Sequence, residues 1–104
     1  MNKIKVIAEI GNNHNGSFAK AKKAIYEAKE AGADYVKFQH INPEKFVHSK
    51  LKSLVKGNDK YQIQRLKKIF LNLNQIKDLY KLSRKLKIGF GVSVFDIESV
   101  KELK

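Results

Sequence analysis

The first 39 residues alternate between two kinds of periodicity, and that alternation constrains the fold more than any other feature. KIKVIAEI at 3–10 repeats every second residue: Ile4, Val6, Ala8 and Ile10 share one face, Lys3, Lys5, Ile7 and Glu9 the other. After the loop GNNHNG, Ser17 is a plausible N-cap, and Phe18, Ala21, Ala24, Ile25 and Ala28 fall on one stripe of a helix over about 18–31. Gly32 suits the C′ position, and DYVKFQ at 34–39 returns to strand character. A strand, a short helix and a second strand in this spacing predict parallel pairing through a right-handed crossover.

The pattern continues at longer range. A polar stretch from His40 to Lys60 holds Pro43, the chain's single proline, and is too long for an ordinary connector. Ile63, Leu66, Ile69, Phe70 and Leu73 resume a helical stripe. Asn74 reads as a cap, and Ile76, Leu79, Tyr80 and Leu86 mark a further helix. KIGFGVSVF at about 87–95 is the third strand, and Asp96 caps the start of another helix in IESVKELK. The expected class is α/β, with three parallel strands and intervening helices. Parallel strands are normally flanked by neighbours, so an incomplete domain with bare sheet edges is expected.

Composition excludes several functions. No run of eighteen apolar residues provides a membrane span, and the N-terminus enters a strand without an apolar signal region, so a cytoplasmic location is expected. Cysteine is absent, which excludes disulfides and thiolate metal sites. The net charge of +12 raises the question of nucleic acid. The lysines, however, are dispersed over helix faces and loops, with no basic run of five and no aromatic stacking platform. A lysine-rich solvated surface is the simpler account. The alternative function is a non-enzymatic basic α/β module that binds nucleic acid or another polyanion.

In parallel barrels the active site lies at the C-terminal strand ends. Period-2 alternation places Glu9 last on the polar face of the first strand. Tyr35, Lys37 and Gln39 share a face of the second; Gly89, Gly91 and Ser93 share one on the third. The two glycines beneath Ser93 would leave room for a ligand. Lys37 can bind phosphate or carboxylate as a point charge, Gln39 and Ser93 can orient an oxyanion or hydroxyl, and Glu9 can move a proton or hold a sugar hydroxyl. An internal Glu–Lys pair that only satisfies two charges is the competing account. The GNNHNG loop precedes a helix and can be imagined cradling an anion on its N–H groups, but it lacks dinucleotide-site spacing.

AEIGNNHNG (8–16), AGADYVKFQ (31–39), Gly57-Asn58 and VSVFD (92–96) resemble, in order and spacing, the motif blocks of the N-acetylneuraminate (sialic acid) synthase family. That resemblance implies that residues 1–104 are the N-terminal portion of one (β/α)8 TIM barrel, with its first three strands and intervening helices, in a transferase that condenses phosphoenolpyruvate with N-acetylmannosamine or a related N-acetylated hexose and releases phosphate. It implies Glu9 as the acid on strand one, Lys37 and Gln39 as phosphoenolpyruvate contacts, and Asn58 as a contact on the sugar side. Ser93 stands where the family has threonine in a Ser-Thr-Pro-Phe turn; here Val92-Ser93-Val94-Phe95 keeps a hydroxyl and lacks the proline. The complete enzymes use a divalent metal, Mn or Mg, whose histidine ligands lie on strands beyond residue 104, and a homodimer is implied as possible for them. None of His14, His40 and His48 forms a spaced ligand pair, so no metal is assigned to them. For His14 a structural hydrogen bond and a substrate contact both remain open; His40 is expected at the rim. The 1–104 chain alone is expected to be inactive.

Overall fold

The computed structural model describes residues 4–43 and 64–104. Within them the order is β1 (Ile7–Gly11), α1 (Phe18–Glu30), β2 (Tyr35–His40), α2 (Leu73–Lys85), β3 (Gly89–Val94) and α3 (Ile97–Leu103), with a helical stretch at 64–68 before α2. The three strands form one parallel sheet in the order β1-β2-β3. This is the α/β arrangement expected for the opening strands of a TIM barrel.

Local chemistry sets the boundaries. Ser17 caps α1 by accepting the Lys20 N–H, and Gly32, at φ +91°, turns the chain out of the helix. The N-cap of α2 is Asn72, two residues before the expected Asn74. Its side chain accepts the Gln75 N–H at 2.8 Å while Gln75 accepts the Asn72 N–H at 2.9 Å, a reciprocal pair that Asn74 does not make. Asp96 caps α3 as expected, accepting the Ser99 N–H at 2.9 Å and the Ser99 hydroxyl at 2.7 Å.

One face of the sheet is covered and the other is open. Val36 and Phe38 on β2 are fully buried beneath Ala21, Ile25 and Ala28 of α1 and Ile76 and Leu79 of α2. Phe90 and Val92 of β3 are half-buried against the same core. Phe38 and Phe90 stack at 5.6 Å between ring centroids, and Tyr80 meets Phe90 edge-on at 5.8 Å. Two expectations fail at the N-terminal end. Ile4 and Val6 are 88% and 54% exposed instead of joining this core. The strand begins only at Ile7. Before it, Val6 is tied by polar bonds: its N–H donates to Asp34 Oδ2 at 2.8 Å and its carbonyl accepts from the Asp34 and Tyr35 N–H groups.

Candidate functional site

The register decides which side chains meet. Glu9 lies opposite Lys37, Lys37 opposite Gly91, and Gln39 opposite Ser93, so period 2 brings these four polar residues to the open face near the C-terminal strand ends. Lys37 Nζ is 3.5 Å from Glu9 Oε2, and both side chains are about half exposed. An ion pair this accessible contributes only about 0–1 kcal/mol to stability, because solvent screens it. The two charges therefore remain available to a ligand at little cost. Ser93 is half-buried one step beyond them. Asn58 and His48 lie outside the described residues.

A bulge between Glu9 and Gly11 breaks the β1–β2 register and was not visible in the alternation of the sequence. Gly11, at φ +55°, ends the strand there. A Cβ on Gly11 would sit 3.5 Å from Glu9 Oε1 and 3.8 Å from Gln39 Cδ. The glycine thus separates the carboxylate from the amide and leaves backbone at the base of the site. Gln39 is held in turn by Asn12, whose Nδ2 donates to Gln39 Oε1 at 2.9 Å. That bond fixes which way the amide points and directs its NH2 group away from Asn12.

Glu9, Gly11, Asn12 and Gln39 border an open cleft of about 370 Å3, together with Asn13, Asn15 and Arg65; Lys37 and Ser93 are not part of its lining. Asn12 and Arg65 belong to the cleft although the alternation argument passes over them. Asn12 falls past the bulge, and Arg65 comes from the helical stretch that returns after the long polar segment. Neither position carries a strand periodicity by which it could have been found.

The room expected beneath Ser93 is only partly there. Beside Gly89 the space is filled by the Tyr35 ring, which a Cβ would overlap. At Gly91 a Cβ would make only ordinary contacts, the nearest 3.9 Å from Lys37 Cγ, so this glycine does leave space next to the lysine.

Both described histidines are buried, and the Nε2 of each has no hydrogen-bond partner among the described residues. His14 is 2% exposed; its Nδ1 accepts the Gly16 N–H at 3.0 Å, and its ring stacks on Phe38. His40 is also 2% exposed and faces the covered side of the sheet, against the expectation of a rim position. It is in hydrogen-bond range of the Leu71 carbonyl through Nδ1 at 3.1 Å, and Phe70 packs against its ring. Burial pushes both pKa values below the ordinary histidine value of 6.5, partly offset by the Gly11 carbonyl for His14 and by the Leu71 carbonyl and Asp96 for His40.

The loop does not cradle an anion with most of its N–H groups, because Asn13, Asn15 and Ser17 donate to the carbonyls of Ile10, Asn12 and His14, and Gly16 to the His14 ring. Among the described residues, no group of three or more His, Cys, Asp or Glu side chains is placed to hold a metal ion. The donor set for the implied divalent metal is therefore not supplied by these residues. Among them, too, no helix is long and apolar enough to cross a membrane.

A profile of the NeuB family matches residues 24–104. The N,N'-diacetyllegionaminic acid synthase of Campylobacter jejuni is 39% identical over 105 aligned positions, which span 96% of this chain and 31% of that enzyme. The enzyme of the same name from Legionella pneumophila is 36% identical, over 91% of this chain and 28% of its own length. Among solved structures, the N-acetylneuraminic acid (sialic acid) synthetase of Leptospira borgpetersenii, crystallised with citrate, superposes with a TM-score of 0.82 at 29% identity. It matches 98% of this chain and 33% of its own. The chain thus spans about a third of the length of the relatives it matches.

Proposed function

This chain belongs to the NeuB family, and from that premise we propose that it carries part of the active site of a cytoplasmic sialic-acid-type synthase. The reaction is condensation of phosphoenolpyruvate with N-acetylmannosamine or a related N-acetylated hexose. The observation that carries this reading is the pairing of Glu9 with Lys37 at 3.5 Å on the same open face as Gln39 and Ser93.

In the proposed chemistry, the enol carbon of phosphoenolpyruvate bonds to the aldehyde carbon of the open-chain sugar. The aldehyde oxygen takes the displaced electron pair and a proton. Water adds to the resulting oxocarbenium-like carbon, and phosphate departs as its C–O bond breaks. Lys37 is assigned to the negative charge of phosphoenolpyruvate, where a preorganised cation acts without reorganising. The Gln39 NH2, oriented by Asn12, and the Ser93 hydroxyl are assigned to its oxygens. Glu9 is assigned to proton handling or to a sugar hydroxyl, and Asn58 to the sugar side. The implied divalent metal finds no ligand set among the described residues, so no step is assigned to it.

The test is a chimera in which residues 1–104 replace the matching third of the Campylobacter jejuni relative, assayed for phosphate release from phosphoenolpyruvate with that enzyme's own acceptor sugar. Turnover that falls by at least about a hundredfold on Lys37→Met, with the fold intact, supports the assignment; a lost electrostatic contact to a developing charge is worth about that much. A folded, active chimera indifferent to Lys37→Met contradicts it. Residues 1–104 alone are expected to release no phosphate above blank.

A further inference from the structure

The charge balance of the cleft leaves one group unaccounted for. Glu9 is matched by Lys37 at 3.5 Å. Arg65 lines the same cleft, is exposed, and has no carboxylate in ion-pair range among the described residues. We propose that Arg65 is a further binding residue of this site, reading an oxyanion of the ligand, and that Gly16 is what lets its segment sit there. The inference rests on the functional reading above and extends it to a residue on a different element.

Two observations support it. The first is chemical: the cleft is lined by the Glu9 carboxylate, whose charge Lys37 matches from beside the cleft, and by the amides of Asn12, Asn13, Asn15 and Gln39, so the guanidinium supplies its excess charge. A planar fork of donors suits two oxygens of one carboxylate or phosphate, which the point charge of Lys37 does not match. The second is steric. Gly16, at φ +79°, lies against the backbone that follows Arg65. A Cβ there would overlap the Lys68 carbonyl oxygen and stand 3.2 Å from its carbon and 3.4 Å from Ile69 Cα. The loop at the head of α1 thus seats the 64–68 stretch directly, and with it Arg65, at the mouth of the cleft.

Carboxylate and phosphate both occur on phosphoenolpyruvate, and the experiment separates them. The 15N-labelled 1–104 chain is titrated at fixed ionic strength with inorganic phosphate, acetate, N-acetylmannosamine and phosphoenolpyruvate, following the Arg65 Nε–H and the amides of Asn12, Lys37, Gln39 and Ser93. The expected result is that phosphate or acetate shifts Arg65 together with Asn12 and Gln39. Whichever of the two acts identifies the group that Arg65 reads. Arg65→Gln weakens that anion about tenfold, the loss of one charge-assisted contact, and Arg65→Lys restores part of it. Gly16→Ala weakens it too, with Arg65 still present. Because Arg65 is exposed, Arg65→Gln decides the matter even if Gly16→Ala does not fold. Anion binding that is unchanged in Arg65→Gln, or shifts produced by the neutral sugar alone, overturns the proposal. If phosphoenolpyruvate still moves Lys37 and Ser93 in that case, the functional reading survives without Arg65. If anions move Arg65 while phosphoenolpyruvate leaves Lys37 untouched, Arg65 stands and the functional reading falls.

Discussion

Glycines carry much of the local geometry of the site. Gly11→Ala places a methyl group at φ +55° between Glu9 and Gln39, and Gly16→Ala places one at φ +79° against Lys68. A left-handed conformation costs a non-glycine residue about 1–2 kcal/mol. Gly16→Ala, with a backbone overlap added, is therefore expected to lose at least about that much in urea denaturation, whereas Gly32→Ala meets no neighbouring atom and loses only the conformational part. Equal losses at the two positions would remove the steric argument. The histidines predict a pH dependence. Their folded pKa values lie below 6.5, so on acidification the unfolded chain takes up protons first. Stability is then full above about pH 6.5 and falls as pH drops toward the folded values, by at most about 1.4 kcal/mol per pH unit for each histidine. Urea midpoints measured from neutral pH down to about pH 5.5, above the carboxylate range, check this; a midpoint that rises on acidification contradicts it. His40→Gln is expected to flatten the slope.

At the scale of elements, the sequence was legible wherever periodicity and capping chemistry coincide. The α1 stripe, its Ser17 cap and Gly32 are where the pattern put them, because one amphipathic face and two specialised end residues leave little choice. The start of α2 lies two residues before the cap that the pattern suggests: both Asn72 and Asn74 satisfy the propensity rule, and only the Gln75 side chain three residues after Asn72 distinguishes them. Asn72→Ala is accordingly expected to cost about 1 kcal/mol, and Asn74→Ala much less, in thermal or urea unfolding. Alternation read the face of Glu9, Lys37, Gln39 and Ser93 correctly because parallel register preserves period 2 across neighbours. It missed the bulge at Gly11, which interrupts that period, and the Arg65 contribution, which depends on where a later segment returns. It also misread Gly89, since room beside a glycine can be taken by a neighbouring strand's ring.

Across the whole molecule, the described sheet has helices on one face only. Ile7 and Tyr35 are exposed on the face that carries Glu9 and Lys37, and β1 and β3 each pair on a single side among the described residues. Unpaired strand edges and uncovered apolar side chains favour association. The 1–104 chain is expected to self-associate with rising concentration in sedimentation experiments and to bind an apolar dye; a cooperative monomer with no dye binding would contradict this. The chain matches about a third of the length of these relatives. The phosphoenolpyruvate site proposed on this face is tested by titrating phosphoenolpyruvate into the labelled chain, read at Lys37, Gln39 and Ser93. Saturable shifts are expected at these three amides, lost in Lys37→Met and unaffected by substituting an exposed lysine of α1 such as Lys22. Shifts that are absent up to the order of tens of millimolar, or that persist undiminished in a folded Lys37→Met chain, would contradict it; such concentrations correspond to binding weaker than about 3 kcal/mol.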